Sequence, residues 1–100
     1  MSSTRQLAAI MFADIAGYTA MMQEDEALAT QLREKLKRKL ESEVYLHKGK
    51  IIKYTGDGAL CSFDSAIESV RAAYAVQLFM QEEPKVPLRI GIHIEIADGA

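Results

Sequence analysis

The sequence holds a single cysteine, Cys61, among 100 residues. That excludes an internal disulfide framework and suits a reducing compartment such as the cytoplasm. Cys61 lies in the apolar run Ala59-Leu60-Cys61-Ser62-Phe63, which predicts a small buried hydrophobe rather than a reactive thiol. No segment approaches the ~20 apolar residues of a membrane-spanning helix. The stretch 7–13 that follows Arg5 is too short, and it ends in Asp14 without a small-residue cleavage site. It therefore reads as a strand, not a signal peptide. A global basic field is missing too: net charge is -2, which argues against nucleic acid as a partner. There are no repeats, linkers or low-complexity segments. One small domain over residues 1–100 is expected.

What is present is ordinary globular composition, with 49% hydrophobic and 26% charged residues. Residues 7–13 form a continuous apolar run, the pattern of a central strand buried on both faces. Gly17 permits a tight turn after Asp14, and a long helix comes next, broken near residues 23–25. Leu28, Leu32, Leu36, Leu40 and Val44 recur in steps of four on its second part and predict one buried face. Arg33, Lys35, Lys37, Arg38 and Lys39 are interleaved with Glu34, Glu41 and Glu43, so they read as a solvated face. Gly49 is the expected C-cap.

Residues 50–55 predict a strand on which Ile51, Lys53 and Thr55 share one face. Gly56-Asp57-Gly58 has the chemistry of a hairpin turn, and residues 59–63 return as its partner. Ser65-Ala66-Ile67-Glu68 reads as a capping box. It opens a helix carrying Ile67, Val70, Tyr74 and Leu78 at helical spacing, which Pro84 and Pro87 end. Leu88, Ile90, Ile92, Ile94 and Ile96 then alternate with polar residues, giving one core face and one face with Arg89, Gly91 and His93. The order is β-α-β-β-α-β. The fold expected is α+β and ferredoxin-like, an antiparallel sheet with helices on one face.

Right-handed crossovers place the first strand centrally, antiparallel to the third. Asp14 at the end of one and Asp57 entering the other then converge at one sheet edge. Two adjacent carboxylates repel unless one is protonated or a cation arrives. Oxygen ligands of this kind suit a hard divalent ion, Mg²⁺ or Mn²⁺. The neighbouring turn, residues 16–19, enters a helix and favours an anion such as a triphosphate.

Phe12-Ala13-Asp14-Ile15-Ala16-Gly17-Tyr18-Thr19 resembles the first metal motif of class III adenylyl and guanylyl cyclases. Lys53-Tyr54-Thr55-Gly56-Asp57-Gly58 resembles their second, and Arg89-Ile90-Gly91-Ile92-His93 the strand beyond, in the same order across nearly the whole chain. The variants are most similar to bacterial cyclases. The resemblance implies that Asp14 and Asp57 bind two Mg²⁺ or Mn²⁺ ions, helped by the carbonyl of Ile15. It implies that the amides of Ala16, Gly17, Tyr18 and Thr19 contact phosphates. Lys53 would read adenine, favouring ATP over GTP. One ion would activate the ribose 3′-hydroxyl and the other neutralise the leaving pyrophosphate.

Family domains are nearly twice this length. A second base-recognising residue and the asparagine and arginine of the transition state would lie beyond Ala100, supplied across a homodimer interface on the helix-free sheet face. The chain alone is then expected to be inactive. Residues 95–100 depart from the family's small-residue turn. The competing reading is a non-catalytic cyclase-homology module that binds nucleotide or dimerises. An Asn-x-x-x-Arg pattern downstream would favour the enzyme.

Overall fold

The computed structural model describes residues 5–98, and the side chains of residues 7–96. Its elements run β1 (Arg5–Ile15), α1 (Tyr18–Glu24), α2 (Glu26–Leu46), β2 (Lys50–Tyr54), β3 (Gly58–Phe63), α3 (Ala66–Met80) and β4 (Leu88–Asp98). The four strands form one antiparallel sheet in the order β2-β3-β1-β4, with the helices packed on one face. This is the expected α+β, ferredoxin-like arrangement. No helix among the described residues is long and apolar enough to cross a membrane. Gly99 and Ala100, the end of the segment that departs from the family pattern, lie outside the described residues.

β1 is central but not buried on both faces. Ala9, Met11, Ala13 and Ile15 point into the helix layer and are buried, whereas Phe12 on the other face is 55% exposed. The continuous apolar run thus reflects one covered face and one open face. The strand also continues through Asp14 to Ile15, because β3 pairs with it as far as Asp14 and β4 as far as Ile15.

The break between the first two helices falls at Asp25, whose side chain accepts the Leu28 N–H at 3.0 Å and caps α2. Four of the five residues expected on the buried face of α2, Leu32, Leu36, Leu40 and Val44, are inside. Burying each such side chain stabilises the fold by about 1.5–3 kcal/mol. Leu28, near the start of α2, is exposed. At its C-terminus the left-handed residue is Lys48 (φ 63), not Gly49. Gly49 N–H bonds to Val44 C=O and Lys48 N–H to Tyr45 C=O, the pair of bonds that closes a Schellman motif. Gly49 is needed for a different reason: a side chain there would collide with the Phe63 ring.

α3 is capped as expected, with Ser65 Oγ accepting the Glu68 N–H at 3.2 Å. Its buried face differs from the expected stripe. Ala66, Ser69, Ala72, Val76 and Met80 face the sheet, while Ile67, Val70, Tyr74 and Leu78 are all more than half exposed. Small residues let α3 approach the sheet closely, and the bulkier apolar residues are left outward. Ile94 and Ile96 on β4 are likewise exposed, whereas Leu88, Ile90 and Ile92 pack on the core.

The packing generates two tests. Gly58 lies so close to the Ala13 carbonyl that any Cβ would clash with it, whereas Gly56 has open space around its Cα. Gly58→Ala should lose about 1–3 kcal/mol of stability to overpacking, and Gly56→Ala should stay near wild type in urea unfolding. Cys61 is fully buried, and burial pushes its thiol up to about 11. At pH 8 roughly one thiol in a thousand is then ionised. Iodoacetamide should label the folded chain slowly and the urea-unfolded chain quickly; equal rates would contradict this packing.

Candidate functional site

Antiparallel pairing of β1 and β3 sets Asp14 opposite Gly58, the residue after Asp57. On the other side β4 sets Arg89 opposite Asp14. Two backbone bonds fasten the end of β1. The Ile15 N–H donates to the Asp57 carbonyl at 3.2 Å and the Ala16 N–H to the Pro87 carbonyl at 2.7 Å. Asp14 and Asp57 are therefore brought to one sheet edge, as the winding rules imply. Neither glycine of the Gly56-Asp57-Gly58 turn has a positive φ. The turn depends on glycine at 58 for clearance and not for handedness.

Of the turn residues 16–19, Gly17 takes the left-handed conformation at φ 71 and is the N-cap of α1. Tyr18 and Thr19 open that helix, and helix geometry leaves their amides without intrahelical partners. The Ala16 amide is already engaged by Pro87, so the donors of this turn begin at Gly17.

Lys53 is placed differently from the simple alternation. The β2–β3 register pairs Ile51 with Cys61 but Lys53 with Leu60, a β-bulge at Ile52. One extra residue reverses the facing of the rest of the strand. Ile51 packs on the helix-side core, and Lys53 lies on the opposite, helix-free face. Lys53 and Ile51 thus do not share a face. The register aligns Lys53, Leu60, Phe12 and Gly91 across that face, with Gly58, Asp14 and Arg89 forming the next row. The bulge is what puts Lys53 and Asp14 on the same side of the sheet.

Tyr54 next turns toward α2. Its hydroxyl donates to Glu41 and its ring lies under Lys37 Nζ, 5.2 Å from the ring centre. Burial and the Glu41 carboxylate push its phenol up to about 12. Tyr54 and Asp57 also border a crevice of only about 10 Å³ with Arg33 and Lys37. That is room for about one water, so this crevice is too small for a nucleotide.

Sequence reasoning gave Arg89 no partner. Arg89 grips Asp14 in a two-pronged ion pair, Nε to Oδ1 at 2.8 Å and Nη2 to Oδ2 at 3.1 Å. The guanidinium is held further toward its charged form by Asp14, with a smaller contribution from Asp57. Alternation put Arg89 on one face of β4 with His93, but only the β1–β4 register sets it opposite Asp14. His93, on the same face, is exposed and lies 3.5 Å from Glu95. Among the described residues no group of three or more His, Cys, Asp or Glu side chains assembles. The chain itself offers two carboxylates and a backbone carbonyl. That is an all-oxygen donor set with sites left for water and phosphate, which fits Mg²⁺ or Mn²⁺.

A four-stranded antiparallel sheet with helices on one face matches the fold of nucleotidyl cyclase catalytic domains in comparison with known proteins. No family model matches the chain. It is 39% identical over 101 residues to "Putative adenylate cyclase 3" of Rhizobium meliloti (strain 1021), an alignment covering 93% of this chain and 17% of that protein. Among solved structures, an adenylate/guanylate cyclase/hydrolase from Silicibacter pomeroyi is 33% identical, with a TM-score of 0.67 over 93% of this chain and 58% of that one. A Trypanosoma brucei adenylate cyclase in its monomeric state superposes with a TM-score of 0.82 at 17% identity, over 89% of this chain and 55% of that one, and supports the fold. By sequence and by fold the chain is similar to class III nucleotidyl cyclase catalytic domains, bacterial ones included. It spans about one sixth of the curated relative and just over half of the solved chains.

Proposed function

We propose that this chain is the metal-binding half of an adenylate cyclase site, whose parent domain converts ATP to cyclic AMP and pyrophosphate. The observation that carries this reading is the meeting of Asp14 and Asp57 at the edge where β3 enters beside the end of β1. Asp14, Asp57 and the Ile15 carbonyl would hold two Mg²⁺ or Mn²⁺ ions. Bound there, such ions supply an activated 3′-hydroxyl and charge neutralisation on the leaving pyrophosphate. The chain's own work is to position. Gly17, Tyr18 and Thr19 turn donors toward phosphate oxygens at the start of α1. Lys53 stands one row away on the same face, where its ammonium would meet the acceptor edge of adenine and favour ATP over GTP.

The rest of the site would come from a second subunit laid on the helix-free face. Phe12, 55% exposed there, is the apolar anchor for that contact; Ile51 faces the helices and takes no part. A cytoplasmic setting follows from an ATP substrate.

Mn²⁺ together with ATP should raise the melting temperature of the wild-type chain. Saturation at about a hundredfold over Kd is worth about 2.7 kcal/mol, or a shift of roughly ten degrees or more for a domain this small. Asp14→Ala should lose the shift; an equal shift in both proteins would sink the metal assignment. Replacing Lys53 with Glu should abolish any preference for ATP over GTP in the same assay. The isolated chain should produce no cyclic AMP above background, and robust production would overturn the account of a half-site.

A further inference from the structure

We propose that Arg89 is a built-in competitor for the divalent ion at this edge, holding Asp14 until the ion displaces it. The inference rests on the reading of Asp14 as a metal ligand and adds how readily that ligand is released. The geometry is specific. Both guanidinium prongs engage both carboxylate oxygens, at 2.8 and 3.1 Å, the arrangement that gives arginine its strongest carboxylate contacts. An ion arriving at Asp14 meets an acceptor already in use.

Charge points the same way. Asp14 and Asp57 together carry two negative charges, and Arg89 cancels one of them. In the absence of metal it relieves the repulsion between the carboxylates. In the presence of metal the same positive charge opposes a dication.

The pair is also easy to open. The Arg89 side chain is 67% exposed and that of Asp14 39%. Exposed pairs of this kind are held weakly because water and salt compete with them. Arg89 sits on β4, an edge strand, and nothing in the core depends on its side chain. Its release would leave the β1–β4 backbone ladder in place.

The opposite role is physically reasonable: a fork that pre-orients Asp14 would strengthen metal binding. The two roles predict opposite signs. Mn²⁺ binding to the full 100-residue chain, without nucleotide, is measured from the electron paramagnetic resonance of the free ion. Arg89→Gln should bind Mn²⁺ about two- to fivefold more tightly than wild type, the range an exposed ion pair can contribute. Arg89→Lys, which keeps the charge and loses the fork, should fall between them. Unchanged or weaker binding by Arg89→Gln overturns the proposal. Asp14→Ala separates this from the broader reading. If it binds Mn²⁺ as well as wild type, Asp14 is not the ligand and the metal assignment itself fails. Loss of binding in Asp14→Ala with no gain in Arg89→Gln sinks only the competitor role. Melting curves confirm that each variant is folded.

Discussion

The acidic edge depends on how closely β3 runs against β1 at Gly58. A side chain at that position would collide with the Ala13 carbonyl, so only glycine lets the strands meet there. That contact sets the surrounding geometry. The hairpin turn is drawn over the end of β1, where the Asp57 carbonyl accepts the Ile15 N–H. Pro87 takes the next amide, Ala16, from the other side. The strand end that bears Asp14 is thus pinned by backbone bonds on both flanks. A pair of like charges is costly to bring together, and these backbone hydrogen bonds help to hold it.

Much of this was legible in the sequence because the signals were local. The alternation 88–96, the Ser65–Glu68 cap and the Gly-Asp-Gly hairpin each specify an element through a few neighbouring residues, and the winding rules then bring Asp14 and Asp57 together. The misreadings share a cause, which is that tertiary packing chooses between faces that local pattern leaves equivalent. On α3, Ile67, Val70, Tyr74 and Leu78 form a convincing apolar stripe, yet the small residues Ala66, Ser69 and Ala72 face the sheet because close approach favours them. On β2, strict alternation puts Lys53 beside Ile51, but the bulge at Ile52 reverses the facing. Nothing in the residue types of 50–55 announces a bulge. Arg89 was passed over for a third reason: its significance lies in a register with β1, which appears only when the sheet is assembled.

The bulge has a consequence for how the site is built. Without it, Lys53 would point toward α2, where Lys37 and Glu41 already surround Tyr54. With it, Tyr54 occupies that helix-side position and anchors the hairpin to α2, while Lys53 lies on the open face. One extra residue thus separates a structural contact from a candidate recognition residue within a single dipeptide. It also aligns Lys53 with Phe12 in one row across the sheet, one row from Asp14 and Arg89.

That row ties the electrostatics of the edge to whatever covers the open face. Asp14 and Arg89 now meet in water, where an ion pair is weak because solvent screens it. A surface laid over Phe12 would exclude water from the adjoining row as well. In the lower dielectric every charge at the edge would act more strongly. The repulsion between Asp14 and Asp57 would grow, and so would the attraction of both for a dication. A single guanidinium cancels only one of two negative charges, so the balance between Arg89 and a divalent ion would tilt toward the ion as the face is covered. The exposure of Phe12 and the openness of the acidic edge are therefore one property of the sheet, and covering the first would alter the chemistry of the second.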